Sequence, residues 1–321
     1  MEENLYFETS AVNFLYDFFT GNQSPSSIKT KQLQISKGRK WYISSVTLWE
    51  IFKTKDEEKR YELFDFSRCL FYDHLIKSHE EIIINYMKAK CPIVENSYCL
   101  DATDSCLFAK EWRIACQDIN YVFQPDLEQL KQRSEHLQFF GKYFFKSQKG
   151  YVLRGYNDLI DQSYHYLGIR FENLMKVLFD EFENISETQK QYVAVAFHLA
   201  VMIVCYGITI NHQVIESYWN SIGIPEPKKR VEALVEVFRP IFFRGPVSNI
   251  AKMIILQTES KYGRGLIFDS LHASYVTYSD QYFSADNHFI RFRDTIKDKD
   301  PNMLKIVHIK DMDFFIPVLS P

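Results

Sequence analysis

Short apolar runs of the length of β-strands lie near both ends of this chain, and their placement is the strongest constraint on its fold. Leu5–Phe7 and Trp41–Ile43 lie near the start, and Gln281–Ala285 and Leu304–Ile309 lie near the end. Each of the first three is followed by a helical pattern with polar residues suited to cap it. Strands that alternate with helices predict an α/β domain built on a parallel sheet.

The middle of the chain is dominated by helical periodicity. Helical patterns cover Leu127–Phe145 and Asn157–Phe182, and few Gly or Pro residues interrupt them. An α/β pattern interrupted by an all-α block is expected when one domain is inserted into another. We therefore predict an α/β domain made of residues 1–90 and 247–321, with a helical insertion domain of residues 91–246.

The composition agrees with a large folded chain that has long regular elements. The 321 residues include only 11 Gly and 10 Pro, which disfavours a sandwich of many short strands. The net charge of −3 provides no overall basic field for nucleic acid. Six cysteines include no C-x-x-C pair, which favours free thiols in a reduced, cytoplasmic setting over a disulfide scaffold or a zinc site.

One apolar stretch, Tyr192–Ile210, is about as long as a membrane span. Ser186 and Gln189 precede it in a capping-box pattern, and His198 lies near its middle. We therefore predict a helix buried in a core or a subunit interface, and no stable membrane insertion. A membrane-attached protein that uses this stretch is the alternative.

Common catalytic signatures are absent from the sequence. There is no G-x-S-x-G elbow, no H-E-x-x-H motif and no phosphate-binding loop of the P-loop type. Acyl hydrolases of the elbow type, zincins and P-loop enzymes are therefore excluded, and the acidic residues become the leading candidates for chemistry.

Four acidic residues lie at the edges of the apolar elements. Glu8 follows the first strand, Glu50 lies on an apolar helix, Asp269 follows Gly-Leu-Ile-Phe, and Asp286 follows the strand at 281–285. The carboxyl ends of parallel strands meet at one edge of a sheet, where these acids can converge. Clustered carboxylates need a hard divalent cation, and oxygen ligands favour Mg²⁺ or Mn²⁺ over zinc. Such a site can activate water and stabilise charge on a phosphate.

Each of these acids also has an ordinary structural explanation. Asp269 and Asp286 both stand just before helical patterns, where they are suitable N-caps. Glu50 can reach solvent from its helix, and Glu8 can be a surface acid next to a turn. The residues taken one by one leave both explanations open.

Four segments resemble, in the same order, the four motifs of PIN-domain nucleases. Leu5–Leu15 is similar to a first strand that ends in an acid followed by hydroxyl residues, and Ile43–Phe52 to a Ser-capped helix that carries a glutamate. Phe268–Tyr275 resembles an acid that opens a helix of small residues, and Tyr282–Asp286 a strand that ends in hydroxyl-x-Asp. The family differs in having Asp as its usual first acid and no long insertion.

The resemblance implies a PIN-like fold and a divalent-metal-dependent endoribonuclease. In that activity Mg²⁺ or Mn²⁺ supports the attack of water on phosphorus, and the products carry 5′-phosphate and 3′-hydroxyl ends. The residues that the resemblance assigns as catalytic and metal-binding are Glu8, Glu50, Asp269 and Asp286. Its supporting residues are Ser10, Ser284 and His272, of which His272 can also be a helix-packing histidine.

Two basic stretches are candidate contacts for RNA. Residues 25–40 contain five cations and no acid, and residues 131–154 interleave cations with Phe and Tyr. Cations that follow phosphates and aromatic rings that stack on bases suit single-stranded RNA. A solvated basic face over an aromatic core is the alternative for residues 131–154. The predicted substrate-binding residues are Lys29, Lys31, Lys37, Arg39 and Lys40.

A non-enzymatic function is the rival hypothesis. In it the chain is a catalytically weak or inactive PIN-like binding or regulatory protein, and the helical domain mediates its interactions. In the nuclease hypothesis, the helical domain is expected to select substrate or to form a dimer contact. The sequence also leaves open two kinds of partner: further copies of this chain in a homo-oligomer, and a cognate regulatory protein.

Overall fold

Most of the chain is described by a computed structural model. The described residues are 3–20, 39–89, 101–102, 106–154, 186–258, 263, 265–298 and 300–311. The helix predicted at Asn157–Phe182 and the residues Cys91 and Cys99 lie outside them. The four cysteines in the described part of the chain, Cys69, Cys106, Cys116 and Cys205, form no disulfide bond.

The chain forms two compact units, and each is assembled from separate stretches of sequence. The first unit contains Met1–Ser78, Cys99–Lys131 and Tyr275–Pro321, and the second contains His79–Tyr98 and Gln132–Ser274. The domain boundaries predicted at residues 90 and 246 stay predictions.

The first unit contains a sheet of five strands, all of them parallel, in the order β3-β2-β1-β4-β5. The strands are β1 (Glu3–Phe7), β2 (Arg39–Ser44), β3 (Leu75–Ile76), β4 (Gln281–Ser284) and β5 (Ile306–His308). This sheet confirms the predicted α/β class and the strands at both ends of the chain.

The central strand, β1, owes its position to a continuous apolar run. Leu5, Tyr6 and Phe7 are completely or almost completely buried. The Phe7 ring stacks on Trp41 of β2 and on Phe283 of β4, with ring centres 4.8 and 4.9 Å apart. A parallel strand that is buried on both faces needs such a run, whereas a half-exposed strand would alternate.

The order of the strands reverses at β1. β2 pairs with β1 on one side and β4 pairs with it on the other, although β4 lies near the other end of the sequence. In open parallel sheets, ligands bind beyond the carboxyl ends of the strands at such a reversal. The residues that follow Phe7 and Ser284 therefore occupy the position expected for a ligand site.

Twelve α-helices occur in the described part of the chain. They are α1 (Thr9–Thr20), α2 (Ser45–Phe52), α3 (Glu57–Phe71), α4 (His79–Lys88), α5 (Ala109–Gln117), α6 (Leu127–Arg154), α7 (Glu187–Ala200), α8 (His212–Ser221), α9 (Pro227–Glu236), α10 (Pro246–Gln257), α11 (Leu266–His272) and α12 (Asn287–Ile296). Of these, α1, α2, α3, α5 and α12 belong to the first unit, and α4 and α7 to α11 belong to the second.

The regular elements in the described residues of the second unit are all helices. α7 packs against α10, which also packs against α11 and α4. Phe197 and Phe242 meet edge to face with ring centres 5.4 Å apart, and Trp219 is fully buried. The predicted capping box begins α7: the Ser186 hydroxyl accepts from Gln189 N at 3.3 Å, and the Gln189 side chain accepts from Ser186 N at 2.8 Å.

One helical stretch in the described residues, Thr188–Cys205, has the length and composition of a membrane span. Of the 18 residues in that stretch, 61% are buried inside the protein. Core helices of soluble proteins meet the same criteria of length and composition, and burial of this extent fits the buried helix that the sequence predicts.

Candidate metal centre

Glu8 follows β1 directly and caps α1. Its carboxylate accepts hydrogen bonds from Ser10 N at 2.7 Å and from Ala11 N at 3.2 Å, and the Ser10 hydroxyl also donates to it. Glu8 is only 3% exposed. The explanation of Glu8 as a surface acid is therefore wrong, because the carboxylate is buried and held in one orientation.

Ser10 links the end of β1 to the end of β4. Its hydroxyl oxygen accepts a hydrogen bond from Ala285 N at 2.8 Å and lies 3.4 Å from the hydroxyl oxygen of Ser284. The same hydroxyl donates to Glu8. The fold thus brings together two residues, Ser10 and Ser284, that the sequence names as supporting groups.

Asp286 lies just after β4 and caps α12. Its Oδ1 atom accepts from His288 N at 2.7 Å, and its own N–H donates to Ser284 Oγ at 2.9 Å. The predicted N-cap role is confirmed. His288 Nδ1 lies 3.7 Å from Asp286 Oδ1, and the His288 side chain is 48% exposed. The sequence analysis missed His288; a histidine two residues after a candidate ligand is the signal that could have found it.

Glu50 is carried by α2, which starts at the end of β2. Ser44 caps this helix as predicted, since its hydroxyl accepts from Thr47 N at 3.2 Å. The half-buried Glu50 accepts a hydrogen bond on Oε2 from Thr9 Oγ1 at 2.5 Å. Because Thr9 is the first residue of α1, this bond ties the helix after β2 to the helix after β1.

The Tyr6 hydroxyl joins this network from inside β1. It lies 2.8 Å from Ser44 Oγ, and the Tyr6 ring stacks on Tyr275 with centres 4.7 Å apart. Burial raises the pKa of Tyr6 well above its usual value of 10.0, and the charges of Glu8 and Glu50 raise it further, while the hydrogen bond with Ser44 opposes them. Both carboxylates therefore act on the same buried phenol.

Asp269 and His272 belong to the second unit, where both lie on α11. Asp269 is the fourth residue of this helix, so the prediction that it precedes a helix as an N-cap is wrong. The helix begins at Leu266, three residues before Asp269, and its first turn contains the apolar residues Leu266–Phe268. His272 is fully buried. The assignments of Asp269 as a ligand and His272 as a supporting residue stay predictions.

The predicted substrate cations lie only in part within the described residues. Lys29, Lys31 and Lys37 lie outside them. Arg39 Nε lies 2.8 Å from Glu3 Oε2, which forms an ion pair between β2 and β1. Arg39 and Lys40 are the first residues of β2, so about 13 Å of strand separates Lys40 from Ser44 at the carboxyl end. Their contact with RNA stays a prediction.

The donor set at the carboxyl ends of β1, β2 and β4 consists of oxygen atoms, although those of Glu8, Glu50 and Asp286 do not all lie within 4.8 Å of one another. We call it the acidic edge and define it as Glu8, Ser10, Glu50, Ser284 and Asp286. Carboxylate and hydroxyl oxygens are the ligands that Mg²⁺ and Mn²⁺ prefer. The imidazole beside Asp286 also suits other metals, so the identity of the cation stays a prediction. A carboxylate offers about four acceptor positions, which makes capping a helix and binding a cation compatible roles.

Comparisons of the chain with protein-family models, with curated proteins and with solved structures found no match. The geometry defines an α/β protein with an acidic edge at the strand-order reversal of a parallel sheet.

Proposed function

We propose that this chain is a PIN-like, divalent-metal-dependent endoribonuclease that uses the acidic edge. The observation that carries the proposal is the continuous set of contacts from Glu8 through Ser10 to Ser284 and Asp286. These contacts join the carboxyl ends of two neighbouring strands at the reversal of strand order, which is where open parallel sheets bind ligands.

Protein groups hold the proposed ligands in place before any cation binds. Glu8 is fixed by the first turn of α1, Glu50 is restrained by Thr9, and Asp286 is fixed as the cap of α12. A cation held by these oxygens would supply activation of water and stabilise charge on the phosphate. The exposed His288 places Nδ1 3.7 Å from Asp286 Oδ1, where the imidazole can serve as a further ligand.

RNA is the proposed substrate, and Mg²⁺ or Mn²⁺ is the proposed cofactor. Products with 5′-phosphate and 3′-hydroxyl ends follow from the family that the motifs resemble. Asp269 is the proposed fourth ligand on the basis of its motif alone. The cytoplasmic setting, a homo-oligomer and a cognate regulatory protein likewise stay predictions of the sequence.

Replacement of Asp286 by Asn separates its two roles. Asn caps a helix as well as Asp does, so the start of α12 is kept, whereas a neutral amide is a poor ligand for a hard cation. We expect Asp286→Asn to keep the wild-type melting temperature and to lower Mn²⁺-dependent cleavage of a single-stranded RNA by about 100-fold, which corresponds to about 2.7 kcal/mol.

Asp56→Asn is the matched control for this experiment. Asp56 caps α3 by accepting from Lys59 N at 3.1 Å and lies outside the acidic edge. Cleavage by this variant should equal that of the wild type. Asp269→Asn tests the proposed fourth ligand in the same assay. Undiminished cleavage by Asp286→Asn would contradict the proposed site.

The non-enzymatic rival is favoured by one specific observation. Glu8 and Asp286 both cap helices, which gives each a structural role that needs no metal. Calorimetric titration with Mn²⁺ distinguishes the two functions. Binding in the millimolar range or tighter that Asp286→Asn weakens supports the nuclease, and no binding in that range supports a binding or regulatory protein.

A further inference from the structure

A cavity of about 310 Å³ lies in the first unit where the chain enters β3. Its charged and polar lining residues are Lys40, Asp73, His74, Asp101 and Arg113. Lys40 is the second residue of β2, whereas the acidic edge follows the carboxyl ends of the strands. The cavity and the acidic edge are therefore separate places in the same unit.

Two unusual backbone conformations flank this cavity. Tyr72 has φ of 52° and Phe108 has φ of 68°, and they are the only non-glycine residues with positive φ in the described part of the chain. Tyr72 directly precedes Asp73, and Phe108 directly precedes Ala109, which also lines the cavity. Such conformations are sparsely populated and cluster at functional sites.

His74 lines the cavity through only part of its ring. Its Nδ1 atom is buried without a hydrogen bond, so a ligand in the cavity does not reach this nitrogen. Its Nε2 atom lies 3.9 Å from Asp73 Oδ1, and the His74 side chain is 29% exposed.

Charges of both signs line the cavity. Lys40 and Arg113 are half-buried, and Asp73 and Asp101 are exposed. The Arg113 guanidinium is oriented by a hydrogen bond to a backbone carbonyl of residue 102. Asp101 Oδ1 accepts from the Tyr42 hydroxyl at 3.3 Å. A single ligand can therefore place an anionic group beside the cations of the cavity and a hydrogen-bond donor beside its carboxylates.

We infer that this cavity binds a nucleoside monophosphate whose base carries an exocyclic amine. Its volume lies in the range of small-molecule sites, which begins at about 300 Å³. Lys and Arg bind phosphate through charge-assisted hydrogen bonds, and an Asp carboxylate accepts from an amine such as N4 of cytosine. The His74 ring, whose centre lies 5.5 Å from that of Tyr42, places an aromatic group at the wall of the cavity.

The first test is calorimetric titration of the full chain with CMP in the presence of EDTA. Without divalent cations the carboxylates of the acidic edge repel phosphate, so binding reports on the cavity. UMP is the matched ligand because it has a carbonyl oxygen where CMP has its amine. We expect CMP to bind at least about 5-fold more tightly than UMP, as one hydrogen bond predicts. No CMP binding at about 10 mM, or equal affinities for CMP, UMP and inorganic phosphate, would overturn the inference.

Variants of the lining locate the site. We expect Lys40→Met to weaken CMP binding about 10-fold, because it removes a charge-assisted hydrogen bond. Lys55 is exposed and lies outside the cavity, so Lys55→Met should leave CMP binding unchanged. Asp73→Asn or Asp101→Asn should abolish the preference for CMP over UMP. Wild-type affinity in Lys40→Met, or an intact preference in both Asp variants, would overturn the inference; thermal melts confirm that each variant is folded.

Discussion

His79 carries two ring nitrogens into the interior of the second unit. The side chain is fully buried, and neither nitrogen makes a hydrogen bond, although Nδ1 lies 3.2 Å from Glu80 Oε2. Burial lowers the pKa of His79, the charge of Glu80 opposes this, and the charge of His272 lowers the pKa further. The net direction is downward, so His79 is neutral in the folded chain at neutral pH.

Acidification should therefore destabilise the folded chain through His79. The unfolded chain protonates this residue near its usual pKa of 6.5, but the folded chain does so only at lower pH. Between the two values the unfolded state binds the extra proton, so the free energy of unfolding falls as pH falls, by at most about 1.4 kcal/mol per pH unit.

Urea unfolding at about pH 7.5 and pH 5.5 tests this expectation. The wild type should lose more stability between the two pH values than His79→Gln, which cannot take up the proton. Equal losses in both proteins would show that His79 does not govern the acid response.

The acids at the strand ends could be predicted from the sequence, but their partners could not. Glu8 and Asp286 each follow an apolar run, which is a local signal. The bond from Thr9 to Glu50 spans 41 positions, and the contact of Ser10 with Ser284 spans 274. Strand pairing creates these contacts, and no local pattern records which distant residues will meet.

At the scale of elements, long or capped patterns were predictable and short ones were not. The strands β1, β2 and β4 and the capping box of α7 follow the sequence patterns. β3 has only two residues, which is too short for any alternation to reveal it. The predicted helix starts after Asp269, whereas α11 begins at Leu266, directly after Gly265. The apolar residues that the sequence analysis placed before the helix form its first turn.

α10 begins at a glycine that another residue cannot easily replace. Gly245 has φ of 84°, and a Cβ atom added there would lie 2.5 Å from Cζ of Tyr86. Alanine would therefore combine an unfavourable φ with displacement of a buried ring. We expect Gly245→Ala to lower the free energy of unfolding by about 2–5 kcal/mol, from about 1–2 kcal/mol of backbone strain and about 1–3 kcal/mol of overpacking.

Gly223→Ala separates these two causes. Gly223 has φ of 75°, but an added Cβ meets nothing within 4 Å. Only backbone strain acts there, and the expected loss is about 1–2 kcal/mol. If urea unfolding finds the same loss for both variants, the contact with Tyr86 contributes nothing.

At the scale of the whole molecule, the apolar stretch Thr188–Cys205 is the segment that could attach the protein to a membrane. Because 61% of it is buried inside the protein, it has little apolar surface left to offer a bilayer. We expect the folded chain to partition into the aqueous phase of a cloud-point detergent. Urea-unfolded chain, in which this stretch is exposed, is the control. Recovery of the folded chain mainly in the detergent phase would favour the membrane-attached alternative.

The position of β1 has a consequence for how the protein is made. Asn4 N bonds to Asp280 Oδ2 across 276 positions, and β4, which pairs with β1, is translated only after that interval. At roughly 5–20 residues per second, a ribosome needs roughly 14–55 s to cover it. Throughout this delay one flank of β1 presents unpaired N–H and C=O groups that any other nascent strand can join. A chaperone that shields this flank during translation would raise the yield of correctly folded chains.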